Sequence, residues 1–176
     1  MRRQNDRYFT PEFATQELYR RVGIAGRVLE CCAGDGAIAK VLRRAEERTV
    51  YCNDIVGNCD FALDVAREEA WRSLSQGLGG IDWVVTNPPF SMAAQIVPLA
   101  FQYAQVGIAM LLRKTYTEPC FDRSGWLLAY KGNFANQIFL PRISFTGDGK
   151  SDNVACDWYV WTKQKVLGCT VDWVLK

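Results

Sequence analysis

Four short apolar runs, 27–33 (RVLECCA), 49–53 (TVYCN), 81–86 (IDWVVT) and 106–112 (VGIAMLL), alternate with three segments of helical apolar spacing, 37–45, 65–74 and 91–105. Each helical crossover returns the chain to the end of the sheet where the previous strand began, so successive strands run parallel. The alternation predicts an α/β fold: a mainly parallel sheet with helices on both faces, and ligands beyond the carboxyl ends of its strands. A helix is also expected over 10–22, where Phe13, Ala14, Leu18, Tyr19 and Val22 share a face, with Thr10 as N-cap and Pro11 as first helical residue. Downstream, 125–131 reads as a short helix, and 137–140 and 155–162 as strands of a closing hairpin around the polar stretch 145–153.

A chain of 176 residues, 49% hydrophobic, has the length of one domain, 1–176, and enough apolar surface for one core without staples. Histidine is absent, which excludes Ser-His-Asp and Cys-His catalysis and a histidine general base. Seven cysteines, none spaced C-x-x-C, point to reduced thiols rather than a disulfide framework or zinc ribbon. The formal charge of +2 is too balanced to identify a nucleic-acid binder, so an anionic partner must meet a local patch. With no signal-like apolar segment after the charged start and no apolar run near the ~20 residues of a membrane span, a cytoplasmic, unanchored protein is expected.

Two motifs carry chemistry. Gly34-Asp-Gly36-Ala-Ile-Ala39 follows the first strand with dinucleotide-type glycine spacing, and Asp54 at the second strand's end suits ribose hydroxyls. NAD or S-adenosylmethionine fits this pattern. Glu30, four residues before the first glycine, favours the second, whose α-amino group is cationic. Asp35 reads as a turn residue and Asp82 as structural. The other motif, Asn87-Pro88-Pro89-Phe90, ends the third strand in an extended, stiff elbow. The Asn87 side-chain oxygen and the Pro88 carbonyl can accept the two N–H bonds of an exocyclic amine, and Phe90 can stack on its ring. An NAD-linked dehydrogenase leaves the proline pair unexplained and lacks an evident acid/base residue.

With these motifs in order, the chain resembles class I S-adenosylmethionine-dependent amino methyltransferases, particularly the N6-adenine DNA methyltransferases with an Asn-Pro-Pro-Phe or Asn-Pro-Pro-Tyr motif. The resemblance covers most of the chain. Tyr8-Phe9-Thr10-Pro11 is similar to the family's N-terminal cofactor motif, and Glu30 through Ile38, with Ala33, Gly34 and Gly36, to its glycine-rich motif. Asn53-Asp54-Ile55 resembles the ribose-binding acid with its adenine-flanking neighbour, and Asp64-Val65 the adenine-binding acid. The resemblance implies a Rossmann-like sheet of about seven strands with an antiparallel last strand, S-adenosylmethionine as methyl donor and S-adenosylhomocysteine as product. Asn87, Pro88, Pro89 and Phe90 would be the catalytic elbow, with Asn87 also near the cofactor. Cys31-Cys32 stands where many relatives have Pro-Ser or Pro-Cys, and no separate target-recognition domain is evident.

Arg113, Lys114, Arg123, Arg142 and Lys150 fall in loops near the strand ends, where they are either candidates for substrate phosphates or simply solvated. Tyr116, Phe121 and Phe145 are either core residues or stacking platforms for flanking bases. The leading expectation is methylation of adenine N6 in DNA, with a homodimer or partner subunit supplying recognition. The alternatives are RNA adenine methylation, protein-glutamine methylation, and a methyltransferase-fold module that binds nucleic acid without turnover.

Overall fold

A computed structural model describes residues 10–118, 120–143, 155–166, 168 and 170–173. It contains a seven-stranded sheet: β1 (Gly26–Glu30), β2 (Arg48–Cys52), β3 (Ile81–Thr86), β4 (Ala104–Arg113), β5 (Phe134–Phe139), β6 (Cys156–Thr162) and β7 (Thr170–Trp173). Their spatial order is β2-β1-β3-β4-β6-β5-β7. The β1–β2, β1–β3, β3–β4 and β5–β7 pairs are parallel, and β6 runs antiparallel to both β4 and β5. The expected mainly parallel sheet is present. Its antiparallel strand is the penultimate one, because the chain adds β7 beside β5 after the β5–β6 hairpin.

The helices are α1 (Glu12–Arg21), α2 (Ala37–Leu42), α3 (Glu68–Leu78), α4 (Ala93–Tyr103) and α5 (Ser124–Ala129). The sheet's alternating side chains divide the core in two. Val28, Trp83, Val85, Ala109, Leu111, Trp158 and Val160 pack with Leu18 of α1 and Ile38 of α2. Leu29, Val84, Ile108, Met110, Tyr159 and Trp161 pack with Trp71 of α3 and Ile96 of α4, and Trp126 of α5 lies against them. Both faces are thus covered, as a parallel sheet requires. Helix boundaries moved by a few residues: α2 stops at Leu42 rather than 45, and α3 spans 68–78 rather than 65–74.

One expected boundary failed for an instructive reason. The first helix begins at Glu12 with Pro11, not Thr10, at its N-cap and no side-chain cap bond. The Thr10 hydroxyl turns instead toward the tip of β3. The helix is moored from its other side, where the buried Trp158 indole N–H donates to the Ala14 carbonyl at 2.8 Å.

At the amino ends of the strands, Asp82 accepts the Arg27 backbone N–H at 2.7 Å and pairs with its guanidinium at 3.3 Å, the structural role expected of it. Functional groups are left for the other end. There β1 lies between β2 and β3, so the loops after β1 and β3 diverge and open the crevice where α/β sheets bind ligands.

Candidate active site

The loop after β1 is a chain of backbone bonds. Gly36 N–H donates to the Ala33 carbonyl at 2.8 Å, and Ala33 N–H to the Asn53 carbonyl at 3.0 Å. Gly34 and Gly36 take φ of +58° and +75°, a left-handed backbone that L side chains rarely adopt. A Cβ built on either meets no atom within 4 Å, so the loop's outer surface is open to a ligand. Asp35 accepts the Ala37 N–H at 3.2 Å, as a turn residue does.

Three polar side chains lash this loop to its neighbours. Asp54 accepts Gly34 N–H through Oδ2 and Val56 N–H through Oδ1, each at 2.9 Å, and each oxygen keeps further acceptor capacity for a hydroxyl. Asn53, fully buried, donates from Nδ2 to the Cys31 and Leu63 carbonyls at 3.0 Å and accepts Leu63 N–H at 2.9 Å. Thr86, also fully buried, accepts Cys32 N–H at 3.1 Å and ties the β3 tip to the β1 tip. The sequence reading gave Asn53 and Thr86 no structural role. A polar residue at the end of an apolar strand was the signal available.

These lashings border a hollow at the strand tips. Cys31, Cys32, Asn53 and Asp54 wall it at the β1 and β2 tips. Ile55, Leu63, Asp64 and Val65 wall it from the following loop, and Pro89, Met92 and Ile96 from the β3–α4 side. Ile55 is 44% exposed at the lip. Asp64 accepts Ala66 N–H at 3.1 Å and lies 3.5 Å from the Arg67 guanidinium. Apolar walls suit a purine, rim carboxylates suit ribose hydroxyls, and the open glycine turn leaves room for a continuing chain. The residues therefore fit an adenosyl group.

Glu30 is placed differently from the expectation that it meets an ammonium group. It is 1% exposed beneath the loop, and its Oε2 accepts the Ala39 N–H of α2 at 2.7 Å. Burial pushes its carboxyl up to about 8, with the Ala39 bond working against the shift and Asp35 adding to it. The nearby thiols also stay protonated: contact with Cys31 and burial push Cys32 up, and burial pushes Cys52 up to about 12. Neither offers a thiolate nucleophile near neutral pH.

At the tip of β3 the elbow joins the hollow to the opposite face of the sheet. Pro88 and Pro89 are buried, and Pro89 lines the hollow itself. Continuing the alternation of Val85 and Thr86, Asn87 faces the α1 side, where its Nδ2 donates to Thr10 Oγ1 at 3.1 Å. Phe90 packs against the core on that same side, and the Arg113 guanidinium lies 5.0 Å from its ring centroid. The fold thus brings together Thr10, Asn87, Phe90 and Arg113, residues up to 103 positions apart in sequence. Tyr8 and Lys150, and with them Phe145, lie outside the described residues.

The candidate basic set divides between the two faces. Arg113 sits beside Phe90, whereas Lys114 reaches the other face, with its Nζ 3.4 Å from the fully buried Asp157 and 3.4 Å from the Leu140 carbonyl. Burial pushes the Asp157 carboxyl up, opposed by Leu140 N–H, Gln137 and Lys114, so Lys114 is committed to a structural charge. Arg123 likewise serves the fold, donating to the Thr115 carbonyl at 2.8 Å and lying over Tyr116, which is core. Arg142 is exposed after β5, and Phe121 projects fully into solvent.

No protein-family model matches this chain, and no curated protein matches it in sequence. Among solved structures, a proposed class I S-adenosylmethionine-dependent methyltransferase from Listeria monocytogenes superposes with a TM-score of 0.64 at 12% identity, over 98% of this chain and 68% of that one. The type I restriction-modification methyltransferase subunit of Streptococcus thermophilus gives 0.62 at 12% identity, over 89% of this chain and 45% of its own length. A proposed RNA methyltransferase from Pyrococcus horikoshii gives 0.59 at 17% identity, over 92% and 87%. The fold is that of the class I methyltransferases. Among the described residues no helix is long and apolar enough to cross a membrane.

Proposed function

We propose that the protein binds S-adenosylmethionine across the glycine loop and methylates the exocyclic N6 amine of adenine in DNA. The observation that carries this reading is the position of the elbow: Pro89 walls the hollow while Asn87 and Phe90, two and one residues away from it, lie on the adjoining α1 side of the sheet. A cofactor in the hollow and a base at the elbow would then lie on either side of one rigid turn.

When bound, the cofactor supplies a methyl group already activated on a sulfonium. The chain's own residues then need only hold and orient. Asp54 and Asp64 offer acceptors at the rim, and Ile55, Leu63, Val65 and Pro89, which line the hollow, would hold the purine. The Asn87 side-chain oxygen and the Pro88 carbonyl would accept the amine's two N–H bonds, which would favour a pyramidal nitrogen with a localised, more nucleophilic lone pair. Phe90 stacks on a base turned out of the helix, and Arg113 beside it meets the adjoining phosphate. No general base is required before transfer, because the proton can leave afterwards.

DNA is preferred as acceptor because the restriction-modification subunit shares the fold and the elbow carries phenylalanine, a base-stacking side chain. This chain spans 45% of that subunit. A partner or second copy supplying sequence recognition forms part of the proposal. Incubation with tritiated cofactor and separate pools of duplex DNA, single-stranded DNA, RNA and protein tests it, followed by identification of the labelled group. Labelled N6-methyladenine from DNA is expected. Label confined to RNA or glutamine identifies another acceptor, and cofactor binding with no product on any polymer supports a non-catalytic module. Asn87→Ala should lower transfer at least a hundredfold, on the scale of a lost oriented polar contact, with cofactor affinity kept within threefold.

A further inference from the structure

We propose that Cys31 and Cys32 form a two-thiol site for trivalent arsenicals, set into the wall of the hollow. The dithiol stands on its own geometry. That an arsenical and S-adenosylmethionine exclude one another rests on the methyl-transfer reading above.

The two cysteines follow one another directly after β1, and both line the same hollow. Both thiols are free, and that of Cys32 is hydrogen-bonded to that of Cys31. Their turn is fixed from both sides: Asn53 Nδ2 donates to the Cys31 carbonyl at 3.0 Å, and Cys32 N–H donates to the Thr86 hydroxyl at 3.1 Å. The pair is therefore assembled before a ligand arrives, which lowers the entropic cost of capturing one.

The chemistry of two adjoining thiols selects the ligand. A direct disulfide is disfavoured, because the peptide between the residues is trans and consecutive Cα atoms then lie about 3.8 Å apart, short of the ~4.4 Å that disulfides span. One atom inserted between the sulfurs relieves this. Among the described residues no group of three His, Cys, Asp or Glu side chains is placed to hold a metal ion, so a cation that needs three or four protein ligands lacks them here. An organoarsenical, R–As(OH)₂, carries its own third substituent and asks for only two sulfurs. Each thiol gives its proton to an arsenic-bound hydroxide; two As–S bonds form, two As–O bonds break, two waters leave, and arsenic stays trivalent. The product is uncharged. The Cys31 contact and burial that keep Cys32 protonated therefore leave this condensation unopposed, whereas they suppress alkylation, which needs the thiolate. Leu63, Val65, Met92 and Ile96 in the same wall suit an apolar organic substituent.

The test treats the reduced protein, freed of reductant, with equimolar phenylarsine oxide, which hydrates to the dihydroxide. Intact mass, peptide mapping and a count of remaining thiols are the readouts. One adduct per chain on Cys31 and Cys32 is expected, with two thiols lost, resistant to a monothiol wash and released by 2,3-dimercaptopropanol. Cys32→Ser and Cys31→Ala should each lower the affinity at least a hundredfold, and Cys59→Ser should change it by less than threefold. Iodoacetamide should leave Cys31 and Cys32 unmodified over the same interval. An adduct that forms equally in Cys32→Ser, maps to other cysteines or washes off with monothiol overturns the site. S-adenosylhomocysteine at about 100 times its Kd should slow adduct formation at least tenfold. An adduct on Cys31 and Cys32 that forms at an unchanged rate in its presence upholds the dithiol and refutes occupancy of the hollow by the cofactor, so the two readings fail separately.

Discussion

The buried Glu30 carboxyl offers the sharpest test of how the glycine loop is built. It is 1% exposed, accepts the Ala39 N–H at 2.7 Å and is pushed by burial from 4.5 to about 8. The folded protein therefore holds this proton more tightly than the unfolded chain. Its contribution to stability is full below pH 4.5 and is lost as the pH rises toward 8, with a slope of about 1.4 kcal/mol per pH unit. Glu30→Gln keeps the shape and an acceptor for Ala39 while abolishing the ionisation. From those two pKa values, the stability of the variant relative to the wild type should rise by roughly 2–3 kcal/mol between pH 5 and pH 7. Urea unfolding at pH 5, 6, 7 and 8 measures this difference directly, with circular dichroism confirming equal folded content. A difference that stays flat across the series would refute the reasoning, because it would mean that Glu30 is ionised in the fold. Repeating the series at saturating S-adenosylmethionine asks a second question. Glu30 does not line the hollow, so cofactor should leave the window in place. A shift of the window to lower pH would instead indicate direct pairing with the cofactor's ammonium group.

Two further perturbations follow from particular contacts. In β4, a Cβ on Gly107 would come within 2.6 Å of the Trp161 carbonyl and 2.8 Å of the Trp83 ring, so Gly107→Ala should destabilise by about 1–3 kcal/mol, read as a lower denaturation midpoint. Equal midpoints would show that the β3–β4–β6 packing has slack. Arg113→Ala should reduce the slope of log DNA affinity against log salt by about 1, whereas Lys114→Ala should leave the slope unchanged and lower stability, since Lys114 neutralises buried Asp157. Equal slopes for the two variants would erase the division of the basic set between faces.

The order of elements and the chemistry at two strand tips are written in local sequence pattern. Helical and strand periodicities are local, so β1 to β6 and α1 to α5 were legible to within a few residues. The glycine turn and the proline elbow were legible for the same reason: Gly34 and Gly36 take positive φ, and the two prolines stiffen their own backbone. Tertiary structure decided what those side chains touch. Thr10 has every local mark of an N-cap, but docking of α1 beside β3 presents Asn87 as a partner instead. Arg113 and Lys114 are neighbours in sequence, yet one step along the pleat sends them to opposite faces, one to Phe90 and one to Asp157. Glu30, with an acid's usual place before a glycine loop, is sealed beneath α2, and Asn53 and Thr86 become the struts of the hollow. Periodicity is a property of neighbours along the chain, whereas burial and long-range hydrogen bonds exist only once strand register and helix docking have set distances across the sheet.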